Sequence, residues 1–182
     1  LVTHICVIDG NQHFILPVAF ARNGDRLYIH GSSKSRLFTQ LAAGASTCLT
    51  VTLLDGLVVA RSVFESSMNY RSVMVLGTCR VVDGQEKAAA LQVISDHLLP
   101  GRWDEARHPN EQEDKATMVL ALDLNESSVK ISAGPPDDVP ADVELPVWAG
   151  VVPLTEHFGE PIDAPDLPVG IAVPDYIRQW KR

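Results

Sequence analysis

Asx-Gly pairs cut the first half of this chain into short apolar runs, and that punctuation most narrows the folds open to it. Asp9-Gly10-Asn11, Asn23-Gly24, Asp55-Gly56 and Asp83-Gly84 each follow an apolar stretch. Glycine accepts the positive φ that tight hairpin turns require, and an Asx residue beside it bonds locally to the backbone. Residues 2–8, 13–21 and 26–30 read as three strands, the second interrupted by Pro17. Residues 46–54, 57–64 and 72–82 read as three more, with Asp55-Gly56 as a turn and a polar loop over 65–70. Strands at this density predict a mainly β fold with a few helices, an antiparallel sandwich or barrel.

The β pattern first breaks at 27–41, Leu-Tyr-Ile-His-Gly-Ser-Ser-Lys-Ser-Arg-Leu-Phe-Thr-Gln-Leu. A strand ends at His30-Gly31, and a helix follows over about 34–43, stopping at Gly44. Ser32 or Ser33 is the expected N-cap, and Leu37, Phe38 and Leu41 share one side. Lys34 and Arg36 fall in the first helical turn, where the helix dipole disfavours cations unless an anion sits among them. Free backbone N–H groups, serine hydroxyls and two cations describe a phosphate seat. The bland alternative is a solvated helix start with ordinary surface charge.

A second helix is predicted over 85–99, ended by Pro100-Gly101, and a third over about 109–115. Asn110 with Glu113 three residues on forms a capping-box pattern. Strands resume at 117–124 and 128–133. Nine of the twelve prolines lie between Pro135 and Pro174, so residues 134–182 read as an extension wrapping a core of 1–133, whose helical insert spans about 85–115. Residues 147–152 are the one convincing strand of that extension.

Composition excludes several classes. A net charge of −8 argues against nucleic acid, and a single basic cluster suits a small anionic ligand. No apolar run is long enough to cross a bilayer and no secretory signal is visible, so the expected location is the cytoplasm. Cys6, Cys48 and Cys79 read as buried thiols of a reducing compartment. The six histidines show no metal-ligand spacing, no cysteines pair as CxxC, and dinucleotide, Walker and GxSxG motifs are missing. The segment 61–72 offers hydroxyls, Tyr70 and Arg71 to a planar ligand, or is a hairpin loop whose tyrosine packs on the barrel end.

Four segments in order, HGSSKSR, VTLLDGLVVARSVFESSMNYRSVMVLG, PGRWDEAR and LPVWAGVVPL, resemble the pyridoxamine 5′-phosphate oxidase-like flavin-binding proteins. More narrowly, they resemble the branch near the nitroimidazole-resistance proteins. Each motif is weak alone, whereas their ordered co-occurrence over nearly the whole chain is specific. The resemblance implies a split β-barrel, a homodimer, and FMN at the subunit interface. It matches Ser33, Lys34 and Arg36 to the phosphate-binding turn, flanked by His30 and Ser32, with Leu37 following in the helix. Pro17, Val18 and Ala19 match the strand whose backbone runs along the isoalloxazine ring. Tyr70, Arg71 and Ser72 match a junction near the flavin, and Trp148 a tail tryptophan that covers the site. The family's C-terminal substrate motif pairs arginine with histidine, and Asp175–Arg182 contains no histidine, so vitamin B6 oxidation is not implied.

The implied function is an FMN-dependent oxidoreductase that passes electrons from a reduced donor to a small organic acceptor, with no catalytic acid or base identified. The alternatives are a flavin storage or sensing module, or a haem or deazaflavin binder. Haem would require His30 or another histidine facing the pocket; a deazaflavin would favour a larger basic groove than an acidic chain offers.

Overall fold

The computed structural model describes residues 1–180, leaving Lys181 and Arg182 outside the described residues. Strands β1 (Val2–Asp9), β2 (Gln12–Asn23) and β3 (Arg26–Ser32) form a meander, and α1 (Arg36–Ala42) leads to β4 (Ser46–Val59). There follow β5 (Ser67–Thr78), β6 (Arg80–Val82), α2 (Gly84–Leu98), α3 (Arg102–Glu105) and α4 (Glu111–Ala116). The chain continues through β7 (Thr117–Asp123), β8 (Glu126–Ser132), β9 (Gly150–Pro153) and α5 (Asp175–Arg178). The sheet runs β6-β7-β3-β2-β1-β4-β5-β8, with β9 beside β4, and every pairing is antiparallel. It curls into a split β-barrel whose two end strands, β6 and β8, do not pair with each other.

The turn chemistry explains the meander. Gly10 and Gly24 take φ of 61° and 59° at the β1–β2 and β2–β3 turns. Asp55-Gly56 does something else: β4 runs straight through it with a register shift between Leu54 and Gly56, a bulge rather than a turn. Residues 57–59 therefore continue β4 instead of opening a new strand, and β5 begins at Ser67, inside the expected loop. The expected strand 72–82 is likewise two. β5 ends at Thr78, and beyond Cys79 the chain pairs with β7 as β6. One edge of β4 serves β1 over Thr47–Thr50 and β9 over Gly56–Val59, while β5 follows the other. The tail strand is shorter than the expected 147–152, since Val147–Ala149 precede the pairing.

Two cores result. Inside the barrel, Ile5, Val7, Leu27, Ile29, Leu49, Val75, Leu120 and Leu122 pack against Leu37, Phe38 and Leu41 of α1. Outside it, Ala90 and Ile94 of α2 pack on Ala21, Tyr28, Val119 and Ala121. α2 is anchored at its start, where Tyr28 Oη donates to Glu86 Oε1 at 2.9 Å. Lys87 Nζ donates to the Asp114 carbonyl at 2.7 Å, tying α2 to α4. The capping box of α4 forms as its sequence predicts: Asn110 Oδ1 accepts from the Gln112 and Glu113 N–H groups, and Glu113 Oε2 accepts from Asn110 N, all at 2.9 Å. Among the described residues no helix is long and apolar enough to cross a membrane.

Candidate cofactor-binding site

Strand β2 creates an open backbone edge. It pairs with β1 over Gln12–Ala19, but with β3 only over Phe20–Asn23. Beyond Phe20 the two strands part, and residues 13–19 keep one unpaired edge facing the β3–α1 corner. Pro17 sits in this stretch, where its missing N–H removes no bond to β3. Alternation along the paired strands places Val2, His4 and Cys6 of β1, and Ile15, Pro17 and Ala19 of β2, on the outer face of the sheet. Thr50, Thr52 and Leu54 of β4, with Tyr70, Ser72 and Met74 of β5, share that face. His30 and Ser32 alternate with the buried Ile29 and lie on the same side of β3 as Tyr28. The structure thus puts Pro17, Ala19, Tyr70 and Ser72 on one outer face, with His30 and Ser32 at its corner.

The remaining expected residues stand differently. Val18 belongs to the barrel-facing set and packs against the inner core. Leu37 is 3% exposed and supports the corner from inside. Ser35, not Ser32 or Ser33, is the N-cap of α1, and its side chain makes no capping bond. Ser32 Oγ instead accepts from Lys34 N at 3.2 Å, and Ser33 N donates to the Ala116 carbonyl at 2.9 Å, pinning the turn to α4. Arg36 is already engaged: its guanidinium donates to Asp9 Oδ2 at 2.7 and 2.8 Å and lies 4.2 Å from the centroid of Phe14. Lys34 is exposed as well. Gly31 is required here, because a Cβ would enter the ring of Phe38.

His30 is half-buried, and its Nδ1 is sealed from solvent without a hydrogen-bond partner. Burial disfavours the charged imidazole and pushes its pKa below the ordinary value. Arg71 points toward the barrel side and forms a two-bond pair with Asp55, Nε to Oδ2 at 3.0 Å and Nη2 to Oδ1 at 2.8 Å. The paired guanidinium lowers the Asp55 pKa. This pair walls a cavity of about 470 Å³ with Leu53, Leu154 and Thr155. Trp148 is 64% exposed and precedes β9, at the far end of β4 from the Thr47–Val7 pairing. At roughly 3.3 Å per strand residue, about 40 Å of β4 separates them, so one chain does not bring Trp148 to the β3–α1 corner.

Sequence reading missed a second concavity. A cavity of about 660 Å³ opens where the inner face of β4 meets the end of α2, lined by Phe20, Val51, Leu53, His97, Tyr176 and Trp180 among others. Its walls come from segments more than a hundred residues apart, so no local motif announces it. The Arg61–Asp138 pair, 2.7 Å long and largely buried, was equally hidden; it clamps the tail to the β4–β5 hairpin.

A sequence profile described as pyridoxamine 5′-phosphate oxidase matches residues 1–131. The solved FAD and haem binding protein from Mycobacterium smegmatis is 40% identical, with a TM-score of 0.95, over 99% of this chain and 89% of that one. A flavocytochrome from Azotobacter vinelandii is 38% identical, with a TM-score of 0.92, over 99% of this chain and 84% of the other. A 5-nitroimidazole antibiotic resistance protein of Bacteroides thetaiotaomicron shares the fold at 18% identity and a TM-score of 0.59, over 70% of this chain and 75% of that chain. Among curated proteins, 2,3-bisphosphoglycerate-independent phosphoglycerate mutase 1 of Methanocaldococcus jannaschii is 31% identical over 113 residues, 59% of this chain and 27% of the mutase. The chain therefore spans about a quarter of that curated relative.

Proposed function

The chain belongs to the pyridoxamine 5′-phosphate oxidase family, and from that premise we propose that it binds a flavin nucleotide along the open edge of β2. The observation that carries the proposal is that edge, a row of unpaired backbone groups over residues 13–19 beside the β3–α1 turn. Backbone donors and acceptors left out of a ladder suit the pyrimidine rim of an isoalloxazine. Lys34 Nζ and the hydroxyls of Ser32 and Ser33 would hold the phosphate, while Arg36, held by Asp9, shapes the turn. FMN and FAD present the same phosphate and ring to this corner. The relative at 40% identity favours FAD, since it is described as an FAD and haem binding protein; the one at 38% is described as a flavocytochrome.

Those descriptions also favour haem as a second redox group. Two of the six histidines are suited to it. His30 stays neutral through burial, as a metal ligand must, with Nδ1 enclosed and Nε2 the nitrogen left for a ligand. His97 lines the apolar 660 Å³ cavity. The bound flavin would supply two-electron chemistry and haem one-electron chemistry; the chain's residues orient the ring, hold the phosphate and exclude water. The outer face carries exposed Val2, Ile8, Ile15, Leu54, Met74 and Leu76, and we infer that a second copy covers it.

The test is the absorbance of the purified protein after reconstitution with FAD, FMN and haem separately, followed by anaerobic reduction with a nicotinamide donor. Saturable flavin and Soret bands, and reduction of the bound flavin, are expected. A protein that retains no flavin at micromolar concentration overturns the proposal. Loss of the Soret band in His30→Ala or in His97→Ala identifies the histidine that would hold the haem.

A further inference from the structure

Cys6 and Cys48 are direct cross-strand partners. The β1–β4 ladder sets Cys6 opposite Cys48, between the Ile5–Leu49 and Val7–Thr47 pairs. Both side chains are half-buried free thiols on the outer face, since their neighbours Ile5, Val7, Thr47 and Leu49 all turn inward. Directly opposed residues of an antiparallel pair have Cα atoms about 4.5–5.5 Å apart. That interval lies within the roughly 4.4–6.8 Å over which two cysteines can be bridged. The Thr47 hydroxyl donates to the Cys6 carbonyl, so β1 and β4 are held together by more than the ladder at this point.

We propose that Cys6 and Cys48 are a modification site, a dithiol that hydroperoxides convert into a reversible cross-strand disulfide. One thiolate attacks the O–O bond of hydrogen peroxide and becomes a sulfenic acid, releasing one water. The facing thiolate then attacks that sulfur, forming S–S and releasing the second water. In sum, two thiols are oxidised to a disulfide and one peroxide is reduced to two waters. The nearby partner gives the sulfenic acid a fast exit before further oxidation. Cys79 offers the contrast within the same chain: it is 7% exposed, and burial pushes its thiol up to about 11, leaving almost no thiolate at neutral pH. The pair needs no bound flavin, but it lies between Ile15 and Leu76 on the face that a second copy is inferred to cover, so peroxide reaches it from the uncovered chain.

The experiment treats the folded full-length protein with stoichiometric hydrogen peroxide, then counts free thiols and maps non-reduced peptides by mass spectrometry. The expected result is a fall from three thiols to one, a Cys6–Cys48 linked peptide within a single chain, and recovery of all three thiols with dithiothreitol. Cys48→Ser should leave Cys6 accumulating as sulfenic acid, trapped by dimedone, with Cys79 unmodified. Chains linked to one another, separate sulfinic or sulfonic acids without the internal link, or no thiol loss would each overturn the proposal. Retained circular dichroism after treatment excludes oxidation of unfolded chain.

Discussion

β7 and β8 follow one another with only Leu124 and Asn125 between them, and they are packed in opposite ways. In β7, Val119, Leu120, Ala121 and Leu122 are all buried, because the barrel interior fills one side and α2 covers the other. In β8, Val129 and Ile131 remain 67% and 66% exposed. The apolar content of the two strands is thus spent differently: β7 holds the fold, while β8 and the outer faces of β4 and β5 carry apolar surface that this chain alone leaves bare. The closed half is the scaffold, and the open half carries the uncovered apolar surface.

Truncation separates the two halves most sharply. Leu120→Ala should cost about 2–5 kcal/mol in chemical denaturation, whereas Ile131→Ala should stay within about 0.5 kcal/mol. Equal losses would erase the distinction. Next in size is Lys34→Ala, which should weaken FAD or FMN binding by roughly tenfold or more, as loss of a charge-assisted bond does, and leave riboflavin binding unchanged. Calorimetry with the three ligands checks this; equal loss for riboflavin would mean the lysine acts through folding. Gly31→Ala should cost about 1–3 kcal/mol through overpacking against Phe38, and Phe38→Leu should restore part of it.

His30 gives a smaller, pH-dependent effect. Its folded pKa lies below the unfolded value of 6.5, so the unfolded chain binds the proton first. Stability should therefore decline as pH falls from about 6.5 toward the folded pKa, then level off, and His30→Gln should remove that decline from urea midpoints measured across the range. Asp55→Asn should move the midpoint least, since the Arg71–Asp55 pair is exposed and solvent screens it.

What was legible in the sequence follows from locality. The β2–β3 hairpin, the α4 capping box and the strand–turn–helix at 27–41 are each fixed by residues within a few positions, and each formed. Asp55-Gly56 misled because the same dipeptide serves a hairpin turn or a bulge, and only the pairing of β5 on one edge and β9 on the other decides which. Arg36 was singled out as a cation in the first turn of a helix, and its pairing with Asp9, 27 residues away at the end of β1, was not legible locally. The division of the site residues between outer face and core followed from register, which sequence alternation anticipates only once the pairing partners are known.

The most direct measurement is a crystal structure of the protein grown with FAD. The account predicts the isoalloxazine rim against the unpaired backbone of residues 13–19 and a phosphate at Ser32–Lys34. A flavin seated instead in the interior cavity beside Val51 and Trp180, with the β3–α1 turn bare, would contradict it.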